Sequence, residues 1–351
     1  MTILALTSEL TPQNGWGRYS LNLIDALKAN GVGSIVATKS DRLPSPFGFA
    51  IYLLAPWYAW RLKKYAEDCD VIHAFIESYA YIAYWLSKMT GKPYYITAHG
   101  TYAVLPYASV YKKFFHKRAM LGAKRIICIS EYTKMRLAKY NLKNLAVINN
   151  GITFENFYRS EVAQKKELAM ISVGMLKHRK GQHITLEAFA KVREIYPDAK
   201  YYIVGDDSDQ EYTRLLKKLV GDLLLGDAVI FLNKIRDEEL LELYRKASLF
   251  VMTPISYGDY FEGFGLVYLE ANAAGLPVIG SFDSGAEDAI QDSKTGLLVP
   301  QEDVMATTEV ILRILGDKEL ATKLSEQGIS WAREHDWSVI VKEYCAVYEN
   351  K

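Results

Sequence analysis

The chain has 351 residues, half of them hydrophobic, and a formal net charge of only +1. That length allows two domains with full cores, and the near-neutral balance excludes the electrostatic footprint of a nucleic-acid-binding protein. Three cysteines, Cys69, Cys128 and Cys345, stand far apart without a C-x-x-C pair, which fits a reducing compartment and no structural zinc.

The first half alternates short β-branched runs with helical patterns. MTILALTSE has neither a basic region nor a cleavage site and reads as a first strand, TILALT at 2–7, rather than a signal peptide. A helix is expected after Gly17, then strands at 34–39, 70–75 and 94–99, a helix near Tyr79 to Met89, and strands at 125–130 and 145–150. Cys128 reads as strand core. The uncharged stretch from Leu43 to Trp60 is interrupted by Pro44, Pro46 and Pro56, which argues against a membrane-spanning helix. Continuous apolar strands between helices predict a parallel, doubly wound sheet.

The polar segment NNGITFENFYR, Asn149 to Arg159, marks a boundary, and the alternation then restarts. Strands are expected at 168–174, 201–206, 228–233, 248–253 and 277–281, with a helix from Gln182 to Ile195 stopped by Pro197. Asp237 reads as the N-cap of DEELLELYRKA. The expected domains are 1–160 and 161–336, each Rossmann-like, with a last helix at 337–351 crossing back onto the first.

Doubly wound sheets bind ligands beyond the C-terminal ends of their strands. Five such ends carry candidate chemistry here. TSELTPQNGWGRYS places Gly15 and Gly17 before a helix but lacks the third glycine and the acidic residue of a dinucleotide fingerprint; Arg18 is placed to contact a phosphate or to cap the helix. YYITAHG ends in His99, structural or substrate-contacting. GMLKHRKG brings Arg179 and Lys180 to the end of another strand. In FEGFGLVYLEANAAG, 261–275, an acidic glycine loop becomes an apolar helix with Leu266, Leu269, Glu270 and Ala273 at i, i+3, i+4 and i+7. Gly263, Phe264, Gly265 and Leu266 open that helix, leaving its first N–H groups free for an anion or sugar hydroxyls. Glu262 stands at its mouth, and Glu270 follows about 12 Å along at about 1.5 Å per residue. GDDSDQ offers Asp207 and Asp209 either as a metal-binding pair or as helix caps, and the capping reading is preferred.

The string EGFGLVYLEANAAG followed by GLPVIG resembles the E-x7-E signature of retaining, nucleotide-sugar-dependent glycosyltransferases of family 4 (glycosyl transferases group 1). It lies closest to the mannosyltransferases. The resemblance spans nearly the whole chain and is most specific from residue 171 onward. It implies the GT-B fold, two Rossmann-like domains facing a cleft, with the acceptor on the first and the nucleotide sugar on the second. By resemblance Glu262 holds the transferred sugar, Glu270 the ribose, and Gly15 and Gly17 the donor diphosphate. His99 contacts the donor sugar, and Lys180 is the cation at the leaving diphosphate. Where the family has an arginine, this chain has Met175, so Arg179 or Arg18 is expected to substitute. Gly285 and TGLLVP complete the pattern. The implied activity is transfer of a hexose, best from GDP-mannose, to a glycan or lipid-linked acceptor, without cofactor or metal. A UDP-sugar donor is the alternative, and a catalytically weak binding subunit is another. The basic run 111–125 with Trp57, Tyr58, Trp60, Lys63 and Lys64 reads as a solvated amphipathic helix, as an acceptor-binding face or, alternatively, as peripheral contact with anionic lipid at the inner membrane face of a cytoplasmic enzyme.

Overall fold

The computed structural model describes residues 1–12, 14–46, 48, 50–158 and 167–349. Two compact units are present, Met1–Gly151 with Asp336–Lys351, and Ile152–His335. The change of domain expected between 160 and 161 lies outside the described residues.

The first unit runs β1 (Thr2–Leu6), α1 (Gly15–Ala29), β2 (Gly33–Ala37), α2 (Ala50–Leu53), α3 (Ala55–Glu67), β3 (Val71–Ala74), α4 (Ala80–Thr90), β4 (Tyr94–Ala98), α5 (Thr101–Val104), α6 (Val110–Gly122), β5 (Arg125–Cys128), α7 (Glu131–Ala138) and β6 (Leu145–Val147). All strands are parallel, in the order β2-β1-β3-β4-β5-β6. Ile3, Leu4, Ala5 and Leu6 are fully buried, as a strand covered on both faces requires. Cys128 is buried in β5. Pro56 sits in the first turn of α3, where its missing N–H costs nothing. Among the described residues no helix is long and apolar enough to cross a membrane.

The second unit holds β7 (Ala169–Val173), α8 (Gln182–Ile195), β8 (Lys200–Val204), α9 (Gln210–Asp222), β9 (Val229–Leu232), α10 (Asp237–Lys246), β10 (Leu249–Val251), α11 (Leu266–Ala273), β11 (Val278–Ser281), α12 (Ala286–Ala289), β12 (Gly296–Val299), α13 (Val304–Gly316) and α14 (Lys318–Glu334). Its parallel sheet has the order β12-β11-β10-β7-β8-β9. The order reverses between β7 and β10, so the loops leaving these two neighbours form the crevice of the sheet. Phe189, Tyr201, Leu216, Leu249, Ile279 and Leu324 are among the buried residues of its core.

The last helix, α15 (Trp337–Glu349), belongs to the first unit. Its buried Trp337, Ile340, Val341, Tyr344 and Tyr348 share one core with Tyr19, Leu23 and Leu27 of α1. A closed polar network pins it there. The Tyr19 hydroxyl bonds those of Tyr344 at 3.0 Å and Thr97 at 2.9 Å, while His73 reaches Tyr348 at 2.6 Å and Thr97 at 3.0 Å. Burial pushes His73 down to about 3, so the ring stays neutral and the network carries no unpaired charge.

Three local expectations shift. Helix α1 begins at Gly15 rather than after Gly17, because the Asn14 side chain accepts the Gly17 N–H at 2.9 Å and starts the helix two residues earlier. The N-cap of α10 is Arg236, not Asp237; the Glu239 carboxylate accepts the Arg236 N–H at 2.9 Å, and Asp237 adds its charge in the first turn. Helix α11 is buried almost all round rather than along one stripe, since Tyr268, Ala271 and Asn272 are also covered and Leu266 is only half-buried.

Candidate functional site

The loops at the crevice of the second sheet are shaped by glycines that admit no side chain. After β7 the chain makes a tight turn at His178–Lys180 and enters α8 through Gly181, in the left-handed region at φ 70°. A Cβ there would stand 1.8 Å from the Thr253 carbonyl oxygen, so the turn is pressed against the exit of β10. The Glu262 loop is held from the other side. Gly285 donates its N–H to the Glu262 carbonyl at 2.9 Å, and a Cβ on it would lie 2.3 Å from the Gly263 carbonyl carbon.

This packing brings three charges together. One carboxylate oxygen of Glu262 accepts from Arg179 Nη1 and from Lys180 Nζ, each at 2.7 Å. The side chains of Lys180 and Glu262 are 11 % and 10 % exposed, so neither charge is solvated well enough to stand alone. Burial by itself would raise the Glu262 carboxyl, but the charges of Lys180 and Arg179 outweigh it and hold the group down to about 2. The Lys180 ammonium is lowered, chiefly by burial, with Glu262 opposing. Two cations against one carboxylate leave the cluster a net positive charge, a setting for an anion. Met175 is 41 % exposed, and Arg179 instead stands beside Lys180.

Glu270 is buried within α11, whose first residue, Leu266, follows Gly265 at φ 92°. Gly263, Phe264 and Gly265 form the link from Glu262 into that helix. Carboxylates of the Asp206–Asp209 loop serve the backbone and a neighbouring amide: Asp206 accepts the Ser208 N–H at 2.9 Å, Asp209 caps α9 through the Tyr212 N–H at 3.1 Å, and Asp207 accepts from Asn233 at 2.5 Å. Among the described residues no three His, Cys, Asp or Glu are grouped to hold a metal ion.

The remaining sequence-predicted residues belong to the first unit. Gly15 is exposed, and a Cβ there would meet no atom of the described residues within 4 Å. The backbone N–H of Gly17 is taken by Asn14, and Arg18 Nε donates to the Pro12 carbonyl at 3.0 Å, bracing the loop after β1. His99, at the end of β4, donates from Nε2 to the Phe75 carbonyl at 2.8 Å, and the Tyr19 ring meets it edge-on at 4.5 Å. Burial pushes His99 down to about 4, so its imidazole is neutral at physiological pH.

Sequence reasoning missed Glu77. It follows β3, is 1 % exposed, and accepts the His99 backbone N–H through Oε2 at 3.2 Å, while its Oε1 has no hydrogen-bond partner among the described residues. Burial raises this carboxyl to about 7. A single acid closing the apolar run DVIHAFIE was the available signal.

The family model for glycosyl transferases group 1 matches residues 153–331, and that for glycosyltransferase family 4 matches residues 13–156. An uncharacterized glycosyltransferase of Methanocaldococcus jannaschii is 28% identical over 291 residues, covering 81% of this chain and 76% of that protein. A GDP-mannose-dependent phosphatidylinositol monomannoside mannosyltransferase of Mycolicibacterium smegmatis is 30% identical over 220 residues, 59% of this chain and 57% of its own length. Among solved structures, sucrose-phosphate synthase of Thermosynechococcus elongatus matches with a TM-score of 0.82 at 23% identity, covering 99% of this chain and 98% of that one. HepE of Anabaena, in complex with UDP-glucose, matches at 0.80 and 19% identity over the full length of both chains. These likenesses show the GT-B fold.

Proposed function

The chain belongs to the glycosyl transferases group 1, and from that premise we propose that it is a retaining hexosyltransferase working from a nucleotide-diphosphate sugar. The observation that carries the proposal is the Arg179–Glu262–Lys180 cluster at the reversal point of the second sheet. The donor diphosphate binds against Lys180 and Arg179, whose charges gain most as negative charge grows on the leaving oxygen. Glu262, aligned by both cations, accepts hydroxyls of the transferred sugar, and Glu270 accepts those of the ribose. The bond from the anomeric carbon to the diphosphate oxygen breaks, and that oxygen takes the proton from the acceptor hydroxyl. The new bond then forms on the same face, with no enzymic nucleophile and no metal. His99, neutral, offers a further contact to the sugar. The position of Arg179 supports a working clamp over a weakened binding subunit, since it supplies the second cation that Met175 does not.

GDP-mannose is the favoured donor, on the likeness to the GDP-mannose-dependent relative; a UDP sugar is the second reading, on the likeness to the structure holding UDP-glucose. The acceptor is a glycan or lipid-linked sugar. Trp57 and Trp60 of α3 are 50% and 66% exposed, and Tyr111 and Phe114 of α6 are 75% and 64% exposed. On α6, Lys113, Phe114, Lys117 and Arg118 line a groove of about 450 Å³. Aromatic residues among cations suit peripheral contact with an anionic membrane face. The free cysteines accord with a cytoplasmic, reducing setting.

A melting-temperature panel with GDP, UDP and their sugars tests the reading, because a ligand that binds only the folded state raises the transition. One nucleotide should do so, and the corresponding sugar nucleotide should be turned over. A protein indifferent to all of them is not a transferase of this kind.

A further inference from the structure

Between β10 and Glu262 the chain forms a short hairpin that none of the assigned roles uses. Tyr257 and Tyr260 pair across it by reciprocal backbone hydrogen bonds of 2.9 and 3.0 Å. Their rings stack with centroids 5.3 Å apart and planes 25° apart, and they are 46% and 44% exposed. Two stacked, half-exposed phenol rings form a rigid aromatic surface with little rotamer entropy left to lose.

The hairpin is fastened to the charged cluster at three points. At its start, Ile255 donates its N–H to the Arg179 carbonyl at 2.8 Å. In its middle, the His178 ring meets Tyr257 edge-on at 5.6 Å, and His178 opens the turn that carries Arg179 and Lys180. At its end, Phe261 is buried and the next residue is Glu262. Ser256, held by Gln301 at 2.7 Å, fixes the outer strand of the loop. A surface so tied keeps its place relative to the cations.

We propose that the Tyr257–Tyr260 pair is a platform for the apolar face of a pyranose ring, the acceptor sugar of the transfer proposed above. The chemistry fits one class of ligand. A pyranose presents a face of C–H bonds rimmed by hydroxyls, and the negative face of an aromatic ring attracts those weakly positive hydrogens. Lys180 and Glu262 are buried, whereas the tyrosines are open to solvent. The covered, positively charged cluster suits the donor diphosphate, and the open, uncharged platform suits the acceptor. The inference rests on the transferase reading, and its test separates the two.

Saturation-transfer NMR with methyl α-mannopyranoside, methyl α-glucopyranoside and methyl α-galactopyranoside reads the platform directly, with and without GDP or UDP. Ring C–H protons of at least one glycoside should receive saturation in the native protein and in the Tyr257→Phe/Tyr260→Phe variant, which keeps both faces. In Tyr257→Ala/Tyr260→Ala the transfer should fall about fivefold or more, the scale of a lost aromatic contact, while the nucleotide-induced melting shift is unchanged. Equal transfer in the alanine variant, or none in the native protein, overturns the platform. Loss of the nucleotide shift in the alanine variant also overturns it, because the pair would then be stacking the base. A native protein without any nucleotide shift refutes the donor site alone, and the glycoside arm still decides the platform.

Discussion

Replacing Glu262 by Gln should separate stability, nucleotide binding and transfer in one variant. The carboxylate sits 2.7 Å from both Arg179 and Lys180 and is held from its ordinary 4.5 down to about 2. At about 1.4 kcal/mol per tenfold, that difference is worth on the order of 3 kcal/mol of folding stability. Because the folded-state value is depressed, the contribution is fully present above about pH 4.5 and is lost as pH falls towards 2. Urea denaturation should therefore show Glu262→Gln less stable than the native protein by about 3 kcal/mol at pH 7, and by roughly half that at pH 3. The amide also leaves the two cations without a countercharge, so binding of free GDP or UDP should persist or tighten, by calorimetric titration. Transfer should drop more than about a hundredfold, since the group proposed to orient the sugar is gone. A variant whose stability gap is the same at pH 3 and pH 7 would show that Glu262 is not held ionised by its neighbours. One that transfers within about threefold of native would remove its role with the sugar.

How much of this was legible in the sequence depends on whether a signal is local. The parallel sheets were, because strands buried on both faces, such as TILALT and RIICIS, read as continuous apolar runs, and Gln182–Ile195 was bounded by its own periodicity and Pro197. Glu262 and Lys180 were marked by their strings, but their direct contact was not. It depends on strands β7 and β10, neighbours in the sheet yet separated in sequence by β8 and β9. The same distance effect hid the place of Arg179. The start of α1 was misjudged because a side-chain cap at Asn14 outweighs two glycines, and Glu77 was missed because the His99 N–H that it accepts comes from the end of the neighbouring strand β4.

Glu270→Ala should weaken free nucleotide binding by calorimetry; unchanged affinity would remove its assignment to the ribose. Transfer should survive EDTA, and loss restored by manganese would return the Asp207 and Asp209 loop to consideration as a metal site. Glu77, raised to about 7 by burial, favours its neutral form in the fold, so its cost appears as pH rises above 4.5 and is complete above 7. Glu77→Gln should accordingly match the native protein at pH 4 and be the more stable by roughly 2–3 kcal/mol at pH 8 in urea denaturation, and equal stability at pH 8 would contradict that environment. Lys180→Ala should reduce kcat by more than about a hundredfold, on the order of 3 kcal/mol, with a smaller change in donor affinity, because charge on the leaving diphosphate grows towards the transition state. Met175→Arg is its informative companion: Arg179 already stands 2.7 Å from Glu262, so a second guanidinium competes for the same oxygens and should alter the rate by less than about threefold. A large gain on adding that arginine would mean that Arg179 serves Glu262 alone and leaves the diphosphate to Lys180, whereas a Lys180→Ala enzyme as fast as the native one would show that the cluster is not the phosphate clamp.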